Sequence, residues 1–185
     1  MFWKTLGLAA CAVLLCAAAP KAAPKAANPP KAPPAKAGAK ATLPAFDARD
    51  PASLVALLGS AGAKAQVARK DEDAVLVTVE SVAANFSVQF ADCDRQGRAC
   101  KAAFFDLMGG KASPPISQLN AFNQSSVMCR AYQDRSGKPH VVYSTLLFAD
   151  DTRQHATTQL AAWQGCVGEF GLFLKDPNAY LASAP

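Results

Sequence analysis

Only two of the 185 residues are histidine, His140 and His155. There is no Gly-x-Ser-x-Gly turn, no His-Glu-x-x-His pair and no phosphate-binding loop. Those absences remove the usual settings for an α/β-type serine hydrolase, a zinc peptidase and a nucleotide hydrolase. Nor is there a Cys-x-x-Cys pair, the common spacing of a redox catalyst. Acidic residues are missing from the first 46 positions, where Lys4, Lys21, Lys25, Lys31, Lys36 and Lys40 all lie. Taking those six from the 19 basic residues leaves thirteen, against 14 acids. The net charge of +5 therefore belongs to the N-terminal segment, and the rest carries about −1. A nucleic-acid binder needs a basic face on its folded part. None is apparent, so no nucleic-acid partner is expected.

What is present begins with MFWKTLGLAACAVLLCAAAP. Lys4 precedes an uncharged stretch, an apolar core runs from Leu6 to Ala19, and small residues follow. This layout predicts a secretory signal peptide over residues 1–22, too short for a comfortable membrane span. Cleavage is expected after Ala18 or Ala22, because Pro20 disfavours a cut after Ala19. Leu8-Ala9-Ala10-Cys11 offers an alternative, a lipobox that would leave the protein anchored by lipid on Cys11. Residues 23–44 are almost entirely Ala, Pro and Lys. They read as an extended spacer, either a plain solvated linker or a strip that contacts anionic envelope polymers or lipid. The expected location is the periplasm, which permits disulfides.

Residues 45–178 read as one α+β domain, with 179–185 as a tail. Asp50-Pro51 reads as a helix cap and first turn, followed by Leu54, Val55, Leu57 and Leu58 and ended by Gly59 and Gly62. Gln66 to Arg69 reads as a short strand. Val75, Val77 and Val79, then Phe86, Val88 and Phe90, alternate with other residues at strand period. Lys101 to Met108 is expected to pair back as the next strand. Pro114-Pro115 opens a helix that turns Ile116, Leu119 and Phe122 to one side. Two strands follow, Ser126 to Gln133 and His140 to Phe148, joined by a turn over Asp134 to Lys138. The last helix begins near Asp150-Asp151-Thr152 and turns Leu160, Trp163, Val167, Phe170 and Leu174 inward. This order predicts an antiparallel β-sheet flanked by N-terminal, middle and C-terminal helices. Gly165, Gly168 and Gly171 each weaken that helix by about 1 kcal/mol relative to Ala. They imply close approach to a neighbouring backbone, or else a kinked or shorter helix.

Cys93 and Cys100 are symmetric about Gln96-Gly97 and face each other in a hairpin centred there. Opposed Cα atoms in an antiparallel pair lie within disulfide range. A four-residue turn, Arg95 to Arg98, suits that bridge. A zinc site would need Cys129, Cys166 or a histidine as well, and the spacing is loose for one. Cys129 and Cys166 meet if the last helix packs on the sheet, as a second disulfide or as two buried thiols.

His140 and Ser144 share a strand face near Asp150 and Asp151. Residues four apart on a strand are separated by roughly 13 Å, too far for a direct bond. His155 reads as a solvated residue at a helix start. No catalytic residues, metal or cofactor are assigned.

The run LNAFNQSSVMCRAYQDRSGKPHVVYSTLLF, Leu119 to Phe148, resembles the YbjN-domain family, also described as bacterial sensory transduction regulators. The matching residues are Leu119, Asn120, Phe122, Asn123, Arg130, Ala131, Tyr132, Asp134 and Gly137 within a likeness spanning roughly Leu54 to Leu174. Phe122 replaces a common tryptophan, and Val127-Met128 replaces a more usual Arg–aromatic pair. The resemblance implies a fold similar to type III secretion chaperones, which are often homodimers and hold client segments without covalent chemistry. Asn120, Asn123, Arg130 and Tyr132 then form either a structural hydrogen-bond network or a binding site. The function expected is an exported, non-enzymatic module that binds a protein or peptide of the cell envelope. The alternatives are a small periplasmic hydrolase using His140, or a structural envelope protein acting through its spacer.

Overall fold

A computed structural model describes residues 45–111 and 113–183. The signal-peptide, lipobox and spacer readings lie outside the described residues. The elements run α1 (Pro51–Ser60), β1 (Lys64–Lys70), β2 (Ala74–Glu80), β3 (Phe86–Ala91), β4 (Ala102–Met108), α2 (Ile116–Ser125), β5 (Arg130–Gln133), β6 (Pro139–Leu146), α3 (Arg153–Lys175) and α4 (Pro177–Ser183). Six antiparallel strands form one sheet in the order β1-β2-β3-β4-β6-β5. The fold class is α+β, as the element order predicts.

Strand alternation sets the layers. Val75, Val77 and Val79 of β2 are at most 3% exposed, and Val88, Phe90, Ala103, Phe105, Val141 and Tyr143 continue the same buried face. Helical residues Leu54, Leu58, Leu119, Phe122, Trp163, Phe170 and Phe173 join them in a single core. All four helices therefore sit on one side of the sheet. Asp50 caps α1 by accepting from Ala52 N at 2.9 Å, and Thr152 caps α3 by accepting from His155 N at 3.1 Å. Both caps satisfy amides that a helix start leaves without partners.

Several local expectations need correction. The first helix passes through Gly59 to Ser60, and Gly62 takes the left-handed turn at φ +84°. The strand expected over 66–69 extends to Lys64–Lys70, with an irregularity between Val67 and Arg69. The strand expected from Ser126 starts only at Arg130. Ser126 instead closes α2, its N–H bonding Phe122 O at 2.9 Å while its Oγ accepts from Cys129 N at 3.2 Å. Val127 and Met128 are left exposed in that turn. β6 ends at Leu146, short of Phe148. Residues 179–183, read as tail, belong to α4, whose Tyr180 stacks on Phe122 at 5.7 Å. The close approach considered for Gly165, Gly168 and Gly171 does not occur within the described residues, and α3 is unbroken. A Cβ at any of the three would meet nothing within 4 Å. Close approach falls at Gly109 instead, where a Cβ would come within 2.7 Å of Leu174 Cδ1 and 3.0 Å of Pro139 O.

Candidate functional site

The register of the ladders builds the second face of the sheet residue by residue. Ala74, Ala91, Ala102 and Leu146 stand side by side across β2, β3, β4 and β6. The next row is Leu76, Gln89, Phe104 and Ser144. Thr78, Ser87, Asp106, Val142 and Arg130 form the third. Among the described residues no element covers this face. Phe104 is 38% exposed, Met108 52% and Leu146 63%. Arg69 of β1 continues the second row beside Leu76, but from β2 to β6 the first two rows contain no ionisable side chain, so the middle of the face presents apolar and uncharged polar groups to water. Exposed apolar surface of that kind marks contact sites more often than accident.

At one end of the face, strand pairing brings together residues that sequence spacing keeps far apart. β5 takes the outer edge, which makes β4 and β6 neighbours. Met108 then pairs with His140, and His140 with Tyr132. His140 Nδ1 lies 2.7 Å from Asp106 Oδ1, and Tyr132 donates its hydroxyl to Asp106 Oδ2 at 2.8 Å. The Tyr132 ring stacks on the imidazole at a centroid distance of 4.8 Å. Nε2 of His140 is buried and faces Asp134 Oδ2 at 3.7 Å. Burial, then the bond to Asp106, pushes the Tyr132 hydroxyl up to about 12. Asp134 is held below the usual carboxylate range by its bonds from Ser136 and from Lys138 N. Both ring nitrogens of His140 thus face carboxylates, while Ser144 stands opposite Phe104. The Ser-His-Asp grouping is not assembled here, and the arrangement is a clamp joining β4, β5, β6 and the β5–β6 turn.

The motif residues separate into different duties. Leu119 and Phe122 are core, and Asn120 is exposed on α2. Asn123 accepts from Ala131 N at 2.6 Å and donates to Ala131 O at 3.0 Å, so its amide occupies the free edge of β5 as another strand would. Arg130 donates to Ser126 O and Cys129 O, while Tyr132 belongs to the His140 clamp. The single polar network considered for Asn120, Asn123, Arg130 and Tyr132 is not what forms.

Both cysteine pairs are at bonding distance. Cys93 and Cys100 have sulfurs 2.09 Å apart, and Cys129 and Cys166 2.08 Å. The β3–β4 register points to the first pair, with Ala91 opposite Ala102, but the ladder stops before the cysteines. Asp92 and Ala99 turn left-handed at φ 58° and 52°. Cys93 N then bonds Asp73 O, and Cys100 N bonds Arg49 O. The turn is wider than Arg95–Arg98, running from Asp94 N to Arg98 O at 2.7 Å. Cys129 lies just before β5 rather than on a strand.

His155 is not simply solvated. Its Nδ1 lies 2.5 Å from Asp151 Oδ1, and its Nε2 lies 2.7 Å from Gln159 Nε2. Gln159 Oε1 accepts from the Tyr143 hydroxyl. The four-residue steps from Asp151 to His155 to Gln159 are visible in the sequence and signal this chain. Among the described residues no group of three or more His, Cys, Asp or Glu is placed to hold a metal ion. No described helix is long and apolar enough to cross a membrane. Comparison with known proteins adds no relative, since no family model, curated protein or solved structure matches the chain.

Proposed function

We propose that this protein is an exported, non-enzymatic module that binds a protein or peptide in the bacterial cell envelope. The observation that carries the reading is the uncovered sheet face, whose uncharged middle displays Phe104 and Leu146. A client segment can bury those side chains while polar groups at the rim hold its register. Two disulfides fit an oxidising compartment. The YbjN-like run from Leu119 to Phe148 favours the same reading, because a secretion-chaperone-like module holds clients through surface alone.

The test is site-specific photo-cross-linking in the encoding cell. A benzophenone amino acid replaces Phe104, and a control replaces Thr157, which is exposed on α3. The expected result is a discrete protein adduct at position 104 and none at 157. Equal labelling at both positions, or no adduct at 104, overturns the reading. An adduct of twice the chain mass would identify the partner as a second copy.

A further inference from the structure

His140 poses a question of proton count at the end of the sheet. Its Nδ1 lies 2.7 Å from Asp106 Oδ1, and its Nε2 lies 3.7 Å from Asp134 Oδ2. Only 14% of the side chain is exposed, and Nε2 is buried with no hydrogen-bond partner among the described residues. Asp106 also accepts from the Tyr132 hydroxyl, and Asp134 accepts from Ser136 N and Lys138 N. Both carboxylates thus act as acceptors, and an ionised carboxylate has no proton to give. A neutral imidazole has one N–H and serves only one of them, leaving its other nitrogen with a lone pair toward negative oxygen. An imidazolium donates from both nitrogens and serves both carboxylates.

A second observation comes from Asp134 itself. Its hydrogen bonds from Ser136 N at 2.8 Å, Ser136 Oγ at 2.7 Å and Lys138 N at 2.9 Å all go to Oδ1, which leaves Oδ2 for the ring. Those bonds build the β5–β6 turn, which Asp134 N closes on Lys138 O at 2.9 Å. One residue therefore starts the turn and faces the imidazole. The titratable groups that face the ring are Asp106 from β4, Tyr132 from β5 and Asp134 from the turn. The cations at this end of those elements are Arg130, Arg135, Lys138 and, just past β4, Lys111. Arg130 is engaged with Ser126 O and Cys129 O. The helices lie on the opposite side of the sheet.

We propose that His140 is a proton-operated latch on the β5–β6 turn: the doubly protonated ring bridges Asp106 to Asp134, and loss of the Nε2 proton releases Asp134 and loosens the turn. The folded state holds the bridging proton, so the proton and the latched turn stabilise each other. The latch is therefore closed in acid and lost as the pH rises. Asp106 holds Nδ1 in either state, so the ring stays anchored to β4 and the change falls on the turn. Tyr132 and His140 stand on the same face as Phe104, because His140 pairs with Met108 and with Tyr132. The latch thus shapes one end of the uncovered face whether or not a client binds there.

The experiment is an NMR titration of the oxidised full chain labelled with nitrogen-15, from about pH 5, above the usual carboxylate range, to about pH 9. The chain contains 2 histidines, so the His140 ring signals are those that remain in His155→Gln. Both ring nitrogens of His140 are expected to carry a proton at the acid end, and Nε2 to lose its proton as the pH rises. The amides of Ser136, Gly137 and Lys138 should move through the same midpoint as the ring. Across that step the exchange protection of the Lys138 amide should fall roughly threefold to tenfold, the range one hydrogen bond supports. Asp134→Asn keeps an Oδ1 acceptor for the turn but offers Nε2 a donor in place of a carboxylate oxygen. Its Lys138 protection should no longer fall with pH. A ring that keeps one protonation state across the whole range overturns the proposal. So do turn amides that stay still while the ring titrates, or an Asp134→Asn turn that loosens as the wild-type turn does.

Discussion

β2 presents two different surfaces from one stretch of seven residues. Val75, Val77 and Val79 enter the core, while Leu76 and Thr78, half-buried, face the uncovered side. The same contrast runs through β4, where Ala103 and Phe105 are buried and Phe104 and Met108 are exposed. On the covered side, aromatic rings meet one another. Phe122 lies 5.0 Å from Phe173 and 5.9 Å from Phe170, and Phe105 lies 5.6 Å from Trp163. On the uncovered side the rings meet polar groups or water. Stability should therefore concentrate on one face and leave the other free to exchange partners.

The widest expected difference between the faces is energetic. Phe122→Ala removes a ring from the middle of the aromatic cluster and should cost about 3–5 kcal/mol. Phe104→Ala should cost less than about 1 kcal/mol, as exposed positions do. Urea unfolding midpoints at a constant slope measure both. Equal losses would mean that the second face is covered in solution, and the comparison between faces would fail.

The two disulfides sharpen the contrast within the covered side. Cys129–Cys166 ties the start of β5 to α3 across 37 positions, and Cys93–Cys100 closes only 7. In the chain-entropy account, losing the first costs about 4 kcal/mol and losing the second about 2.5 kcal/mol. Paired Cys→Ala variants, unfolded in urea side by side, would show that order. A reversed order would place the main restraint at the hairpin rather than between sheet and helix.

Asn123 is expected to have the next largest effect. Its side chain satisfies both the N–H and the C=O of Ala131, which is 6% exposed. Asn123→Ala leaves both groups without that partner and should cost about 1–3 kcal/mol. Hydrogen exchange at the Ala131 amide should accelerate by more than at Val141. If only global stability changes, the Asn123 amide is not protecting the edge of β5.

Legibility in the sequence followed burial. β2, β3 and β4 were readable because one face is buried, so Val75, Val77 and Val79, or Phe86, Val88 and Phe90, record the period directly. Cys93 and Cys100 were readable because hairpin symmetry is local. The ends of β1 are not legible, because nearly all of Lys64–Lys70 is exposed and burial imposes little alternation there. Val127-Met128 look like strand, but Ser126 is already committed to closing α2. The clamp on Asp106 required knowing that β5 takes the outer edge, a long-range fact that residue spacing does not carry. Asp94-Arg-Gln-Gly-Arg98 and Asp134-Arg-Ser-Gly-Lys138 are near copies, and both close with the first Asp N–H bonding the last carbonyl.

The smallest effect tests whether the His140 clamp is closed to water. An ordinary tyrosine loses its proton near 10, whereas Tyr132 holds its own up to about 12. Between about pH 10 and 12 the unfolded chain therefore binds fewer protons than the folded one. The stabilisation is complete below about 10 and is lost as the pH rises through about 12. Tyr132 is 41% exposed, so solvent screening should hold the loss below about 1 kcal/mol. Tyr132→Phe keeps the ring over His140 and removes the titrating group. Burial also pushes the Tyr143 and Tyr180 hydroxyls up, so the readout is the difference between the two proteins. Urea midpoints from about pH 9 to 12 should fall more steeply for the wild type than for Tyr132→Phe. Parallel curves would mean that the Tyr132 hydroxyl exchanges freely with water. The end of the sheet that carries Asp106, Tyr132 and His140 would then be as open as the row through Phe104.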